Sequence, residues 1–264
     1  MNSDKKNNKE IVIDDKPNNK TINSSIRRIM TDIVDFNENK PDGIYLYIDK
    51  KNITKQYALI IGPENTPYFG GFFFFEIIYP INYTDKFGKK KEDYPKSPPD
   101  VNFLTIDKKV RFNPNLYEDG KVCLSILGTW QGPSWTPVMN IRLVLDSIRS
   151  LLGSFPIQNE PGFENTKPDD IKSIEYNQYL IYHTYKIAIL DVVNKKFDVL
   201  YNYFTKEIDE EMKKNRKKLY DDLLSYESIY GKVEVDNRIY FMKKTKLDFT
   251  SLLENVKKYI SDNF

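Results

Sequence analysis

The chain of 264 residues sets 40 Lys and Arg against 38 Asp and Glu, a formal charge of only +2, so nothing in its balance calls for nucleic acid or an anionic membrane as partner. Hydrophobic residues at 40% and aromatics at 14% can fill the core of one large domain, or of a domain with an extension. A lone cysteine excludes an internal disulfide, and a polar N-terminus without an apolar signal region, together with no apolar run long enough to span a bilayer, points to a soluble protein of the reducing cytoplasm or nucleus.

Residues 1–20 are rich in Lys, Asn and Asp, bury too little to offset ordering entropy, and read as a disordered tail. Ser24 or Ser25 then offers a helix cap, and Ile26, Ile29, Met30, Ile33 and Val34 recur at helical spacing, with Arg27 and Arg28 opposite. Alternation from Ile44 to Ile48, then Gln56 to Ile61, Phe72 to Ile78 and Val101 to Leu104, predicts four strands with short connections, an antiparallel meander. Gly62-Pro63 and Gly70-Gly71 bound the loop before the third strand, and Pro95, Pro98 and Pro99 stiffen the approach to the fourth. Thr136-Pro137 predicts a helix start, with Ile141, Val144, Leu145, Ile148, Leu151 and Leu152 as its apolar stripe and Gly153 as its stop. A third helix is predicted from about Ile171, with the single His183 on its apolar face. Residues 195–220 read as helical, with a basic run from Lys213 to Lys218 that suits a solvated face. An extended piece around Asp236-Asn237 and a final amphipathic helix through Phe249, Leu252, Leu253, Val256 and Ile260 close the chain.

The chemistry-bearing stretch is Arg111-Phe112-Asn113-Pro114-Asn115-Leu116-Tyr117-Glu118-Asp119-Gly120-Lys121-Val122-Cys123-Leu124-Ser125-Ile126-Leu127. It places the only cysteine after two turn signals, with the Asn115 amide near enough in sequence to fold back beside it. A lone cysteine is by default a small packing residue, and such turn-rich surroundings weigh against that reading. Pro-Asn, Gly-x-x-Cys-Leu-x-Ile-Leu and Trp-Thr-Pro in this order resemble the ubiquitin-conjugating enzymes. Asn in place of His before Pro114, the run Leu127-Gly128-Thr129-Trp130 and the segment Asn159-Glu160-Pro161-Gly162-Phe163-Glu164 look most like the long Z-type members. The resemblance covers residues 22–200.

That resemblance implies the α+β conjugating fold: an N-terminal helix, the four-stranded meander, an active-site loop and further helices. It divides the chain into a tail (1–20), a conjugating core (21–200) and a mainly helical extension (201–264). It implies that Cys123 accepts ubiquitin or a related modifier as a thioester from an activating enzyme and passes it to a lysine amine or a ligase, with no cofactor or metal. Asn115 matches the family's catalytic asparagine, a donor to the developing oxyanion or a brace for the loop; Asn113 and Pro114 support that loop. An acidic residue near the incoming lysine is also part of many family sites, with Asp169 and Asp170 as candidates whose alternative is to stabilise a helix N-terminus. Arg27 and Arg28 are the implied contacts for the activating enzyme. Lys96, Thr136, Pro137 and Val138 are those for a ligase, although Lys96 stands where many members carry a large apolar side chain. Residues 81–93 look like an insertion near that face. Two rival readings are a non-catalytic ubiquitin-binding scaffold of the same fold and a cysteine protease using Cys123 and His183.

Overall fold

The computed structural model describes residues 19–85, 88–236 and 244–264, so the expected tail falls almost wholly outside the described residues. Helix α1 (Asn19–Glu38) begins earlier than the Ser24–Ser25 cap suggested. Its inward stripe is Ile29, Ile33 and Phe36, whereas Met30 and Val34, expected on that stripe, are exposed. The helical period explains the correction: the buried positions Ser25, Ile29, Asp32 and Phe36 follow a spacing of three and four that Met30 and Val34 straddle.

Strands β1 (Ile44–Ile48), β2 (Lys55–Ile61), β3 (Phe72–Ile78) and β4 (Asp100–Phe103) form an antiparallel sheet in sequence order. Its register pairs Ile44 with Ile60, Leu59 with Phe74 and Phe75 with Phe103. The four phenylalanines of β3 are all fully buried, so this strand is covered on both faces and does not alternate. Phe73 packs against Tyr68, Phe103 and Phe112 on one face, while Phe74 meets Phe197 and Phe204 on the other. Gly62 lies where the β2–β3 loop closes on itself. A β-carbon there would fall 1.7 Å from the Tyr68 carbonyl oxygen, so only glycine fits.

Helix α2 (Ile141–Leu151) starts four residues after Pro137. Thr136-Pro137 lies instead in a turn closed by Met139 N donating to Thr136 O, and Asn140 is the cap, accepting from Leu143 N. A capping carboxamide satisfies an orphan helix N–H, which a proline cannot do. Helix α3 (Ile171–His183) is capped by Asp170 and widens into a π-helical stretch, Thr184–Asp191, that no sequence signal announced.

The predicted 195–220 helix is two: α4 (Asp198–Tyr203), a break at Phe204, and α5 (Thr205–Tyr230). The break serves packing. Tyr203 stacks on Tyr47 with ring centroids 4.0 Å apart, and Phe204 turns against Phe74, so the corner seals the second face of the sheet. The last segments are β5 (Lys232–Val235), its antiparallel partner β6 (Thr245–Asp248) and α6 (Phe249–Asn263); most of the expected turn between the strands lies outside the described residues. Leu219 of α5 packs against Gly70, whose φ of +70° is one that side chains rarely adopt. No helix among the described residues is long and apolar enough to cross a membrane.

Candidate active site

The loop around Cys123 is built from two short segments that face each other through isolated bridges. Leu116 bridges Val122, Cys123 N donates to Asn115 O at 2.9 Å, and Tyr117 N donates to Lys121 O at 3.0 Å. Asn115 Nδ2 completes the pairing by donating to the Cys123 carbonyl at 2.7 Å. The amide therefore does lie beside the cysteine, and in the resting protein it holds the cysteine's backbone rather than its sulfur. Its second N–H is not used in that bond.

Asn113 is fully buried and closes the preceding turn. Its Oδ1 accepts from Asn115 N at 3.0 Å, and its Nδ2 donates to Leu151 O at 2.8 Å and to the Tyr68 hydroxyl at 3.0 Å. The Tyr68 hydroxyl donates in turn to Phe112 O at 2.7 Å. A short carboxamide thus ties the loop to the end of α2. Pro114 is buried, and its carbonyl accepts from Arg111 Nη2 at 2.5 Å.

Three further side chains gather here that sequence reasoning left without roles. The Arg111 guanidinium lies 3.6 Å from the centroid of the Tyr117 ring. Burial pushes the Tyr117 hydroxyl pKa up; Arg111 opposes the shift, and the neighbouring Cys123 adds to it. Burial likewise raises the Glu160 carboxyl, against the pull of Arg111. Glu160 follows Asn159, which donates weakly to Asn113 Oδ1 at 3.4 Å and to Leu151 O at 3.3 Å. The signal available for Arg111 and Tyr117 was their placement on either side of the Asn-Pro-Asn turn, which brings them back together. For Glu160 only its place in the long loop after α2 could have pointed there. Of the two acidic candidates from the sequence, Asp170 caps α3 by accepting from Lys172 N at 2.9 Å and Asp169 is exposed.

His183 is buried between Tyr179 and Tyr182, with ring centroids 4.4 and 5.2 Å away, and its Nδ1 has no hydrogen-bond partner among the described residues. Burial, with Lys186 nearby, lowers its pKa to about 4. Its surroundings are the two tyrosine rings, Lys186 and Asp107 rather than Cys123, which suits a packing group better than the base of a cysteine protease.

The two arginines of α1 separate. Arg27 is exposed, whereas Arg28 turns inward, donating to Asp32 Oδ1 (2.8 Å), Pro137 O (2.6 Å) and Met139 O (2.7 Å). Tyr94 also donates a short hydrogen bond to Asp32. Lys96, Thr136, Pro137 and Val138 all sit at the surface, and Trp135 Nε1 donates to Pro95 O at 2.7 Å, joining the two loops that carry them. Lys96 faces Glu92 at 3.6 Å, and Val138 is 86% exposed. Between β3 and β4, where an insertion was expected, Thr84 and Lys90 form a single antiparallel bridge, and Lys91 pairs with Asp100.

Comparison with known proteins places this loop in context. The family described as "Ubiquitin-conjugating enzyme" matches residues 28–179, from α1 into α3. "Ubiquitin-conjugating enzyme E2 Z" of Danio rerio is 43% identical over 181 residues, 68% of this chain and 51% of that protein. The Homo sapiens protein of the same name is 42% identical over 179 residues, 67% of this chain and 47% of its own. A third relative, "Dual E2 ubiquitin-conjugating enzyme/E3 ubiquitin-protein ligase BIRC6" of Homo sapiens, is 38% identical over 180 residues, 63% of this chain but 4% of its own length. The chain thus spans about half the length of the Z-type relatives it matches.

Proposed function

Because the chain belongs to the ubiquitin-conjugating enzyme family, we propose that it accepts ubiquitin, or a related modifier, on Cys123 and hands it to a lysine amine or to a ligase. The observation that carries this reading is the reciprocal pairing of Asn115 with Cys123. In the first step the Cys123 thiolate attacks the carbonyl of a thioester on the activating enzyme; a new C–S bond forms, the old one breaks, and the departing thiolate takes up a proton. One thioester replaces another, so the difficult, ATP-dependent activation belongs to the partner.

In the second step a lysine amine attacks the Cys123 thioester. Negative charge gathers on the carbonyl oxygen, the amide C–N bond forms, the thiolate leaves, and the amine loses a proton. Asn115 supports this step by fixing the Cys123 backbone and, through its second N–H, by offering a donor to the oxyanion. Glu160 is a suitable acceptor for the amine proton: its carboxyl is partly desolvated and next to Arg111. Arg27 is the better candidate contact for an activating enzyme, since Arg28 is engaged within the fold. Lys96, Thr136, Pro137 and Val138 would meet a ligase. A reducing cytoplasm or nucleus suits a free catalytic thiol.

A pulse–chase experiment tests the reading. After loading with ATP, ubiquitin and an activating enzyme, free lysine is added and the loaded band is followed. Discharge should slow by about 100-fold in Asn115→Ala while loading persists; equal discharge rates would remove Asn115 from the chemistry.

A further inference from the structure

Asn115 holds the N–H and the carbonyl of Cys123 itself. The residues on either side of Cys123 are held by a different group, one hydroxyl downstream. Thr129 Oγ1 accepts from Leu124 N at 2.9 Å and donates to Val122 O at 2.7 Å, with Leu124 O further off at 3.2 Å. A hydroxyl carries one proton and two lone pairs, so a single Thr129 oxygen can serve a carbonyl before Cys123 and an N–H after it. The chain between is folded to bring it there. Ser125–Leu127 make one 3₁₀ turn, and Gly128 leaves that turn at a φ of +69°. Thr129 N then donates back to Leu124 O at 3.2 Å. Gly132 closes the same loop from outside: a β-carbon there would fall 2.9 Å from Ser125 Cβ. Thr129 itself is exposed, so water can replace its hydroxyl as a partner but cannot hold Val122 and Leu124 at a fixed separation.

We propose that Thr129 is a positioning residue for acyl transfer: its hydroxyl clamps the peptides on either side of Cys123, so that the thioester carbonyl is presented to Asn115 and to the incoming amine in one geometry. The proposal rests on the reading of Cys123 as the acyl carrier. In the step it serves, the amine nitrogen forms the C–N bond, the C–S bond breaks, the Cys123 thiolate leaves and the amine gives its proton to a base. Thr129 touches none of these atoms. It acts through the backbone, where a displacement of about 1 Å can cost on the order of 100-fold in rate.

Two variants of the full chain separate the hydroxyl from the side chain's shape. Thr129→Val keeps the branching without the hydroxyl, and Thr129→Ser keeps the hydroxyl without the methyl. Each is loaded with ubiquitin by ATP and an activating enzyme and chased with free lysine. Thr129→Val should discharge about ten-fold more slowly than wild type, with a melting temperature close to wild type, and Thr129→Ser should stay within about two-fold of wild type. A second measurement needs neither variant nor modifier. Amide hydrogen exchange of the folded wild type should show the Leu124 N–H exchanging at least about ten-fold more slowly than an unstructured amide, although it lies in an exposed part of the loop. The proposal is overturned if Thr129→Val discharges at the wild-type rate, if Thr129→Ser is as slow as Thr129→Val, or if the Leu124 N–H exchanges freely. Should Thr129→Val fail to fold, the Leu124 exchange rate and the Thr129→Ser discharge rate decide. A wild type that takes up no ubiquitin would count against Cys123 as the carrier, and the exchange measurement would still decide the clamp.

Discussion

Around Cys123 the chain is held by buried polar groups with named partners; beyond Phe197 it is held mainly by rings and aliphatic side chains, with few buried hydrogen bonds. Asn113 alone ties together Asn115, Leu151 and Tyr68. Past Phe197, Tyr203 lies on Tyr47, Phe204 on Phe74 and Leu219 on Gly70; one buried hydrogen bond, from the Tyr185 hydroxyl to Leu219 O at 3.0 Å, accompanies them, and the ion pair of Lys218 and Glu64 is half exposed at 3.5 Å. Directional bonds fix atoms, as a reaction site requires; non-directional packing fixes only area and volume. The loop should therefore be intolerant of changes that leave a partner unsatisfied, and the extension sensitive to lost volume.

The largest expected effect is at the loop. Asn113→Ala orphans the buried Asn115 N–H, leaves the Leu151 carbonyl with the long bond from Asn159 and takes one of the Tyr68 hydroxyl's partners, and should cost about 4 kcal/mol by denaturant melting, since an orphaned buried group costs roughly 1–3 kcal/mol and a lost hydrogen bond about 1 kcal/mol. A loss below about 1 kcal/mol would mean that water replaces the amide. Next comes Leu219→Ala, which opens a cavity at the junction and should cost about 3 kcal/mol. If the extension is packed as one unit with the core, the loss appears as a single shifted transition; a second, separate transition would break the comparison by showing two independent units.

His183 gives an effect of similar size that depends on pH. Its folded pKa, about 4, lies below the ordinary histidine value of 6.5, so the unfolded chain takes up a proton first as pH falls. Its neutral burial favours the fold fully above pH 6.5, and that contribution is lost as pH drops through 6.5 towards 4. A tenfold change in proton affinity is worth about 1.4 kcal/mol, so on the order of 3 kcal/mol is at stake. Melting curves between pH 7.5 and 4.5 should show this slope in wild type and a flatter one in His183→Phe. The smallest effect is expected at Lys218→Ala, under about 1 kcal/mol, because its pairs with Glu64 and Asp222 are solvated. A larger loss would give the exposed ion pair the weight assigned above to rings.

The same contrast explains what could be read in advance. The stripe of α2 was legible because periodicity and burial agree there, β3 because its apolar run is bounded by turn residues although it does not alternate, and the return of Asn115 to the side of Cys123 because turn residues lie between them. The direction of each bond was not: nothing in the order of residues says that Asn115 would hold the Cys123 carbonyl. Arg28 read as a surface cation because two of its three partners, Pro137 and Met139, are backbone carbonyls distant in sequence. The break at Phe204 was hidden because the residues around it keep helical spacing; a tertiary demand, sealing the sheet, overrides that local pattern. Tyr117 and Arg111 stood in plain view without a role, since their meeting depends on the turn between them.

The most direct test of Cys123 as the acyl carrier is the intact mass of the protein after incubation with ATP, ubiquitin and an activating enzyme. The expected result is a gain of one ubiquitin less one water, removed by excess thiol, and in Cys123→Ser a gain that thiol does not remove, as for an oxyester. No gain with any pairing of modifier and activating enzyme, or a thiol-stable gain in the wild type, would contradict that assignment.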